Sequence, residues 1–115
     1  MGEMIVKSFD EPDEIVPMSN GSAQVVVLGE VYVGRSTLQP GWAWSKDIRP
    51  VVGTESCQHH HQGIVMSGRM EFVTGDGARR IVGPGDAYDV APRHDARVIG
   101  GKPCVQIEFA GFVVG

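Results

Sequence analysis

SGRMEFVTGDGARRIVGPGD, residues 67–86, decides the fold. Its three turn signals are separated by runs of strand length. Ser67-Gly68 ends one apolar run, and Gly75-Asp76-Gly77 joins two more. Asp-Gly tolerates the positive φ of a tight hairpin. Gly83-Pro84-Gly85-Asp86 suits a type II turn, with Pro presetting φ and Gly taking the left-handed position. Residues 69–73 and 78–82 are therefore read as paired strands. Downstream, residues 87–91, 96–99 and 104–109 continue the series, and residues 56–66 lead into it. Upstream, residues 4–9 are read as a first strand, followed by an acidic loop at residues 10–14. Residues 24–33 read as one β-branched strand ending near Gly34, and residues 36–38 continue the sheet to Pro40-Gly41. An extended Trp42-Ala43-Trp44 would put both indoles on one face. Residues 46–54 read as a loop or bent crossing. Many short strands with regular turns predict an all-β sandwich or barrel.

Composition agrees. Among 115 residues there are 17 valines and 7 isoleucines, against 2 leucines and 7 alanines. β-Branched side chains suit a pleated surface, whereas helical domains draw on Leu and Ala. A helical bundle and an α/β fold with several full helices are excluded. The length suits one domain with a single core, residues 1–115, with residues 1–34 as an N-terminal strand extension. Ten basic and fourteen acidic residues give a net charge of −4. Phosphate neutralisation needs clustered cations, and the longest basic run is Arg79-Arg80, so nucleic acid is not an expected partner. No apolar stretch approaches the ~20 residues of a membrane span, and the first residues lack the apolar segment of a signal peptide. Two cysteines, Cys57 and Cys104, make no disulfide framework, so a reducing cytoplasmic setting is the expectation.

Three of the four histidines are consecutive: His59, His60 and His61. On one strand, Glu55, Cys57, His59 and His61 would share a face, with His60 opposite. Cysteine and histidine spaced by two or four positions can reach one ion. Thiolate with imidazole suits zinc or iron(II) rather than calcium or magnesium. His94, after Pro92, is the candidate ligand from a distant part of the chain. The alternative is a polar loop with Cys57 as a small core residue. Cys57, His61 and Met66 mimic a blue-copper ligand loop, but such sites need a histidine upstream of the cysteine, and no histidine precedes residue 59.

Trp42 and Trp44 are candidate ligand-binding residues, or else fill the barrel or a dimer seam. Asp95 is a candidate proton acceptor or orienter of His94, the other candidate catalytic residue, or else a turn aspartate bonded to backbone. Glu108, on the last clear strand, would be chemically meaningful if it pointed inward, but is expected to face solvent or pair with an arginine; Cys104 is expected to sit in the core. Gly83-x-Gly85 has no third glycine or following helix, so it is no nucleotide loop.

These features together resemble a small single-domain cupin over residues 35–109. The match is to a group carrying segments like Pro40-Gly41-Trp42-x-Trp44-Ser45, Gly53-Thr54-x-x-Cys57, Ser67-Gly68-Arg69 and His94-Asp95. The resemblance implies an antiparallel jelly-roll β-barrel, often dimeric, with one metal at its mouth. Counted from Gly68, the family's glutamate position falls on His61, and its two histidine positions on Cys57 and Glu55. Counted from Gly85, the remaining histidine position falls on Ala96, with His94 two residues earlier. Either a variant zinc or iron site of Cys57, His61 and His94 has replaced the usual one, with His59 or Glu55 in support, or metal binding has been lost. The expected function is binding of, or action on, a small polar molecule by a metal-bearing homodimer. The alternatives are a metal-free ligand sensor and a structural barrel that self-associates, its seam including Val25-Val26-Val27 or Phe112-Val113-Val114.

Overall fold

Alternation of apolar and polar side chains becomes nine strands and two single-turn helices in a computed structural model, which describes residues 2–109. In chain order they are β1 (Glu14–Met18), β2 (Gly21–Leu28), β3 (Val31–Leu38), α1 (Trp44–Asp47), α2 (Arg49–Val52), β4 (His61–Ser67), β5 (Arg69–Thr74), β6 (Arg79–Val82), β7 (Ala87–Val90), β8 (His94–Ile99) and β9 (Cys104–Glu108). A six-stranded sheet runs β1-β2-β3-β9-β4-β7, and a three-stranded sheet runs β6-β5-β8. Every pairing is antiparallel. The inward faces meet across a core that includes Leu38, Val65, Met70, Phe72, Val98 and Cys104. This is an all-β barrel, as the turn spacing predicts, of the jelly-roll type that the resemblance implies. No helix among the described residues is long and apolar enough to cross a membrane.

The hairpins from residue 67 onward lie where the turn signals place them. The N-terminal third differs. Residues 4–9 form no strand; Met4 and Val6 are largely exposed, and the segment pairs with no strand among the described residues. The first strand is β1, partly inside the expected acidic loop. Its Pro17 is tolerated because β1 lies at a sheet edge. The run 24–33 is two strands rather than one. Gly29, at φ +63, turns the chain between Leu28 and Val31, which face each other across the hairpin. Positive φ at the first central position of a two-residue loop matches the twist of the flanking strands. Residues 110–115, which include Phe112, Val113 and Val114, lie outside the described residues.

Residues 42–54 are neither a full strand nor a loop. Ala43 is extended and bridged to Arg97, then α1 and α2 follow. The buried Asp47 carboxylate anchors this segment. It accepts hydrogen bonds from Ser19 Oγ (2.7 Å), the Ala43 N–H (3.0 Å) and Lys46 Nζ (3.2 Å). Burial works against its charge, yet these donors hold its pKa below the usual carboxylate value. Asp95 anchors it from the other side, accepting the N–H groups of Ser45 (3.2 Å) and Ala96 (2.8 Å).

Gly68 joins β4 to β5 where the chain passes closest to the β8–β9 connection. Its φ is +74, and a Cβ there would lie 2.7 Å from Cys104 Cα and against the Pro103 carbonyl oxygen. Gly68→Ala combines left-handed strain with a backbone clash, so it should cost about 2–3 kcal/mol. Urea unfolding checks this; a loss below about 0.5 kcal/mol, the scale of a neutral surface change, would contradict the packing described.

Candidate metal centre

Three separate segments converge on one end of the barrel. Cys57 lies in the stretch before β4, His61 opens β4 and His94 opens β8. The strand does not begin at residue 56, so a shared strand face does not bring Cys57 and His61 together. Instead Cys57 makes an isolated bridge with His94: its N–H donates to the His94 carbonyl (2.8 Å), and its own carbonyl accepts from Arg93 (2.6 Å). Inside β8, His94, Ala96 and Val98 alternate inward, which directs the imidazole to the core side. The result is a cluster in which one ligand atom each from Cys57, His61 and His94 lies within 4.8 Å of the others.

Both imidazoles are oriented by bonds at Nδ1. His94 Nδ1 donates to the Ala91 carbonyl (2.7 Å), and His61 Nδ1 donates to Glu108 Oε1 (2.8 Å). Each ring therefore keeps Nε2 for the cluster; His61 Nε2 lies 3.4 Å from Cys57 Sγ. Glu108 is not solvent-facing and pairs with no arginine. Its other oxygen accepts from Tyr88 Oη (2.6 Å), which in turn accepts from Gln106 Nε2 (2.8 Å). Register on β9 explains the inward turn: Cys104 and Gln106 are buried, and Glu108 continues their face. A β9 carboxylate thus fixes a β4 imidazole, with a β7 phenol behind it.

Burial opposes ionisation of Cys57, but hydrogen bonds from His61 and His94 and from the His59 N–H outweigh it and bring the thiol down to about 6. Burial also disfavours a charged His61, while Cys57 and Glu108 together push it up to about 10. Both shifts favour a thiolate beside an imidazolium. Burial and the Glu108 charge push Tyr88 above the ordinary phenol range, so it stays a donor. Burial alone raises Cys104 to about 11, which fits an inert core thiol.

A cavity of about 210 Å³ lies against the cluster. Trp42 and Trp44 are both buried and both line it, so core and cavity wall are one role here. His59 sits at the rim, exposed, its ring centroid 6.3 Å from that of His61 and outside the three-atom cluster. Glu55 is exposed and does not line the cavity. Asp95 is also absent from the wall, its carboxylate held by backbone N–H groups. His60 bonds Asp89 (2.7 Å) on the outer surface. Sequence reasoning missed Tyr88 and Gln106 and turned Glu108 outward; the alternation Cys104, Gln106, Glu108 was the available signal for all but Tyr88.

In metal-stripped protein, alkylation of Cys57 by iodoacetamide should follow the thiolate: slow below about pH 6 and level above it, where an ordinary thiol titrates near 9. Glu108→Gln removes the charge that favours imidazolium at His61 and should move the midpoint up by about one unit or more. Peptide mass spectrometry across pH reads this out, and an unchanged midpoint would remove Glu108 from the relay.

No protein-family model and no curated protein sequence matches the chain. Solved structures do match. A Cupin 2 conserved barrel domain protein from Salinispora arenicola shares 20% identity at a TM-score of 0.64, covering 94% of this chain and 88% of that one. The polyketide cyclase RemF from Streptomyces resistomycificus shares 15% at 0.65, covering 94% and 79%. A cupin-like protein from Thermotoga maritima shares 17% at 0.57, covering 83% and 71%. At such identities the likeness is one of fold, and together with the sheet order it shows that the chain folds as a small cupin-like barrel.

Proposed function

We propose that this barrel binds one divalent metal ion, zinc or iron(II), through Cys57, His61 and His94, and takes a small molecule in the adjoining cavity. One observation carries the reading: three donors from three segments lie within 4.8 Å, with both imidazoles already bonded at Nδ1. A ligating histidine typically has its other nitrogen bonded to a carboxylate or carbonyl, which fixes tautomer and ring direction. One thiolate and two imidazoles suit zinc or iron(II), and a three-residue set leaves room for an exogenous ligand. When bound, the ion would act as a Lewis acid towards an oxygen of that ligand. Around it, Glu108 holds the proton on His61 Nδ1, Tyr88 and Gln106 hold Glu108, and the indoles keep water from the wall. Two free cysteines support a reducing cytoplasmic setting. The edge position of β1, with Ile15 and Val16 exposed, supports a homodimer.

A second reading is a metal-free binding module. It is favoured by the Cys57–His61–Glu108 relay, which satisfies the cluster as a thiolate–imidazolium–carboxylate series without an ion.

Metal content of untagged protein, purified without metal-affinity resin, separates the two. The metal reading expects about one zinc or iron per chain, lost in Cys57→Ala and His61→Ala and kept in Asp95→Asn. Folded wild type with no bound ion would sink it, as would retention of the ion in both ligand variants.

A further inference from the structure

We propose that the barrel has a second binding site, at the end opposite the Cys57–His61–His94 cluster, which takes the dianionic phosphate group of a small soluble molecule. Its donors are the Arg69 guanidinium, the Lys102 ammonium and the turn N–H groups that follow β8. This goes beyond the reading above and rests on neither the metal nor the inner cavity.

Topology brings three chain reversals together there. β4 and β8 begin at His61 and His94, two members of the cluster, and end at Ser67 and Ile99. At that far end Arg69, Pro84, Gly100, Gly101 and Lys102 line a concavity of about 290 Å³. No carboxylate lines it, and Asp86, in the same turn as Pro84, accepts the Gly83 N–H (2.8 Å). Among the described residues Lys7, Arg35, Lys46, Arg79 and Arg97 each pair with a carboxylate, whereas Arg69 and Lys102 do not. Glu71, two residues along β5 from Arg69, is taken by Arg79 (3.2 Å) and Arg97 (2.9 Å). In a chain of net charge −4, one concavity therefore holds two cations and no anion.

Exposed cations alone contribute little, but Arg69 is laid against backbone. A Cβ on Gly83 would lie 3.5 Å from Arg69 Cγ, and one on Gly100 would lie 3.5 Å from its Nη2. The stem therefore runs along one turn and the guanidinium reaches the next, over two residues with no side chain to displace it. Less rotamer freedom is left to lose when its fork of N–H groups meets an oxyanion. Gly100, at φ +86, Gly101 and Lys102 lie past the end of β8, and among the described residues their N–H groups donate to no acceptor. Successive N–H groups in a turn form an anion-binding concavity. A carboxylate carries one charge and would use one cation. A phosphate monoester carries close to two charges on three acceptor oxygens, which matches two cations and a row of N–H groups. Two cations are too few for a nucleic acid, whose binding scales with the number of phosphates neutralised.

Amide NMR of the full-length protein reads the site directly. Inorganic phosphate is titrated at constant ionic strength, with acetate as the comparison, because salt screens exposed charges. Phosphate should shift the Gly100, Gly101 and Lys102 N–H signals saturably, and acetate should bind at least roughly tenfold more weakly. Arg69→Gln should weaken phosphate roughly tenfold, the size of one charge-assisted hydrogen bond. Arg49→Gln, which removes a cation on α2 outside the concavity, should leave phosphate binding unchanged. If Arg69→Gln does not fold, Lys102→Gln, in the β8–β9 connection, takes its place with the same expectation. No saturable shift at the three amides, equal weakening by Arg49→Gln, or acetate binding as tightly as phosphate would overturn the proposal. So would shifts confined to the amides of Cys57, His61 and His94, which would put the phosphate at the other end of the barrel.

Discussion

The carboxylate of Glu108 is the constraint on which this end of the barrel depends. A half-buried charge is costly unless paired and hydrogen-bonded, and Glu108 solves that with a histidine on one oxygen and a tyrosine on the other. The three residues come from β9, β4 and β7, neighbouring strands of the larger sheet. Satisfying one carboxylate therefore fixes their register and the tautomer of His61. From that tautomer follows the direction of Nε2, and from that the state of Cys57. The same bonds serve with or without an ion, because an acceptor at Nδ1 supports both an imidazolium and a metal-bound imidazole.

The cavity is walled by the rings of Trp42, Trp44 and Phe72 together with the aliphatic chains of Leu38, Ile48 and Met70. Trp42 and Trp44 come from the segment that crosses over the barrel end, pinned by Asp47 to Ser19 and by Asp95 to β8. Phe72 meets Tyr88 at 5.1 Å and His94 at 6.0 Å between ring centroids, so the wall and the cluster touch through one aromatic residue. Such contacts contribute modest energy beyond area burial, but they hold the rings in place. A rigid apolar wall beside a polar cluster is the usual anatomy of a small-molecule site.

Much of the fold was legible because the chain from residue 67 onward is written in turn chemistry. Gly68, Asp76-Gly77 and Pro84-Gly85 each sit at the chain reversals they announce. The N-terminal third was not, for two local reasons. A two-residue turn at Gly29-Glu30 is hidden inside an unbroken β-branched run, and Pro17 disguises an edge strand. The cluster Cys57, His61 and His94 was visible as residue types, but the reasoning that joined Cys57 to His61 on one strand face was not how the chain does it. They meet through a bridge to His94, a contact 37 residues away in sequence. Glu108 lay further out of reach, since its partner His61 is 47 residues distant and no local pattern encodes that pairing. Asp95, attractive beside His94, instead ends in backbone hydrogen bonds, the common fate of an aspartate at a strand start.

Cobalt(II) substitution tests the central claim most directly, because a thiolate bound to cobalt gives an intense ligand-to-metal charge-transfer band and a four-coordinate site gives strong visible absorption. The account expects one cobalt-dependent charge-transfer band in wild type, absent in Cys57→Ser and weakened with altered visible bands in His94→Ala. Cobalt absorption that keeps its thiolate band in Cys57→Ser, or folded wild type that gives no such band at all, would contradict it.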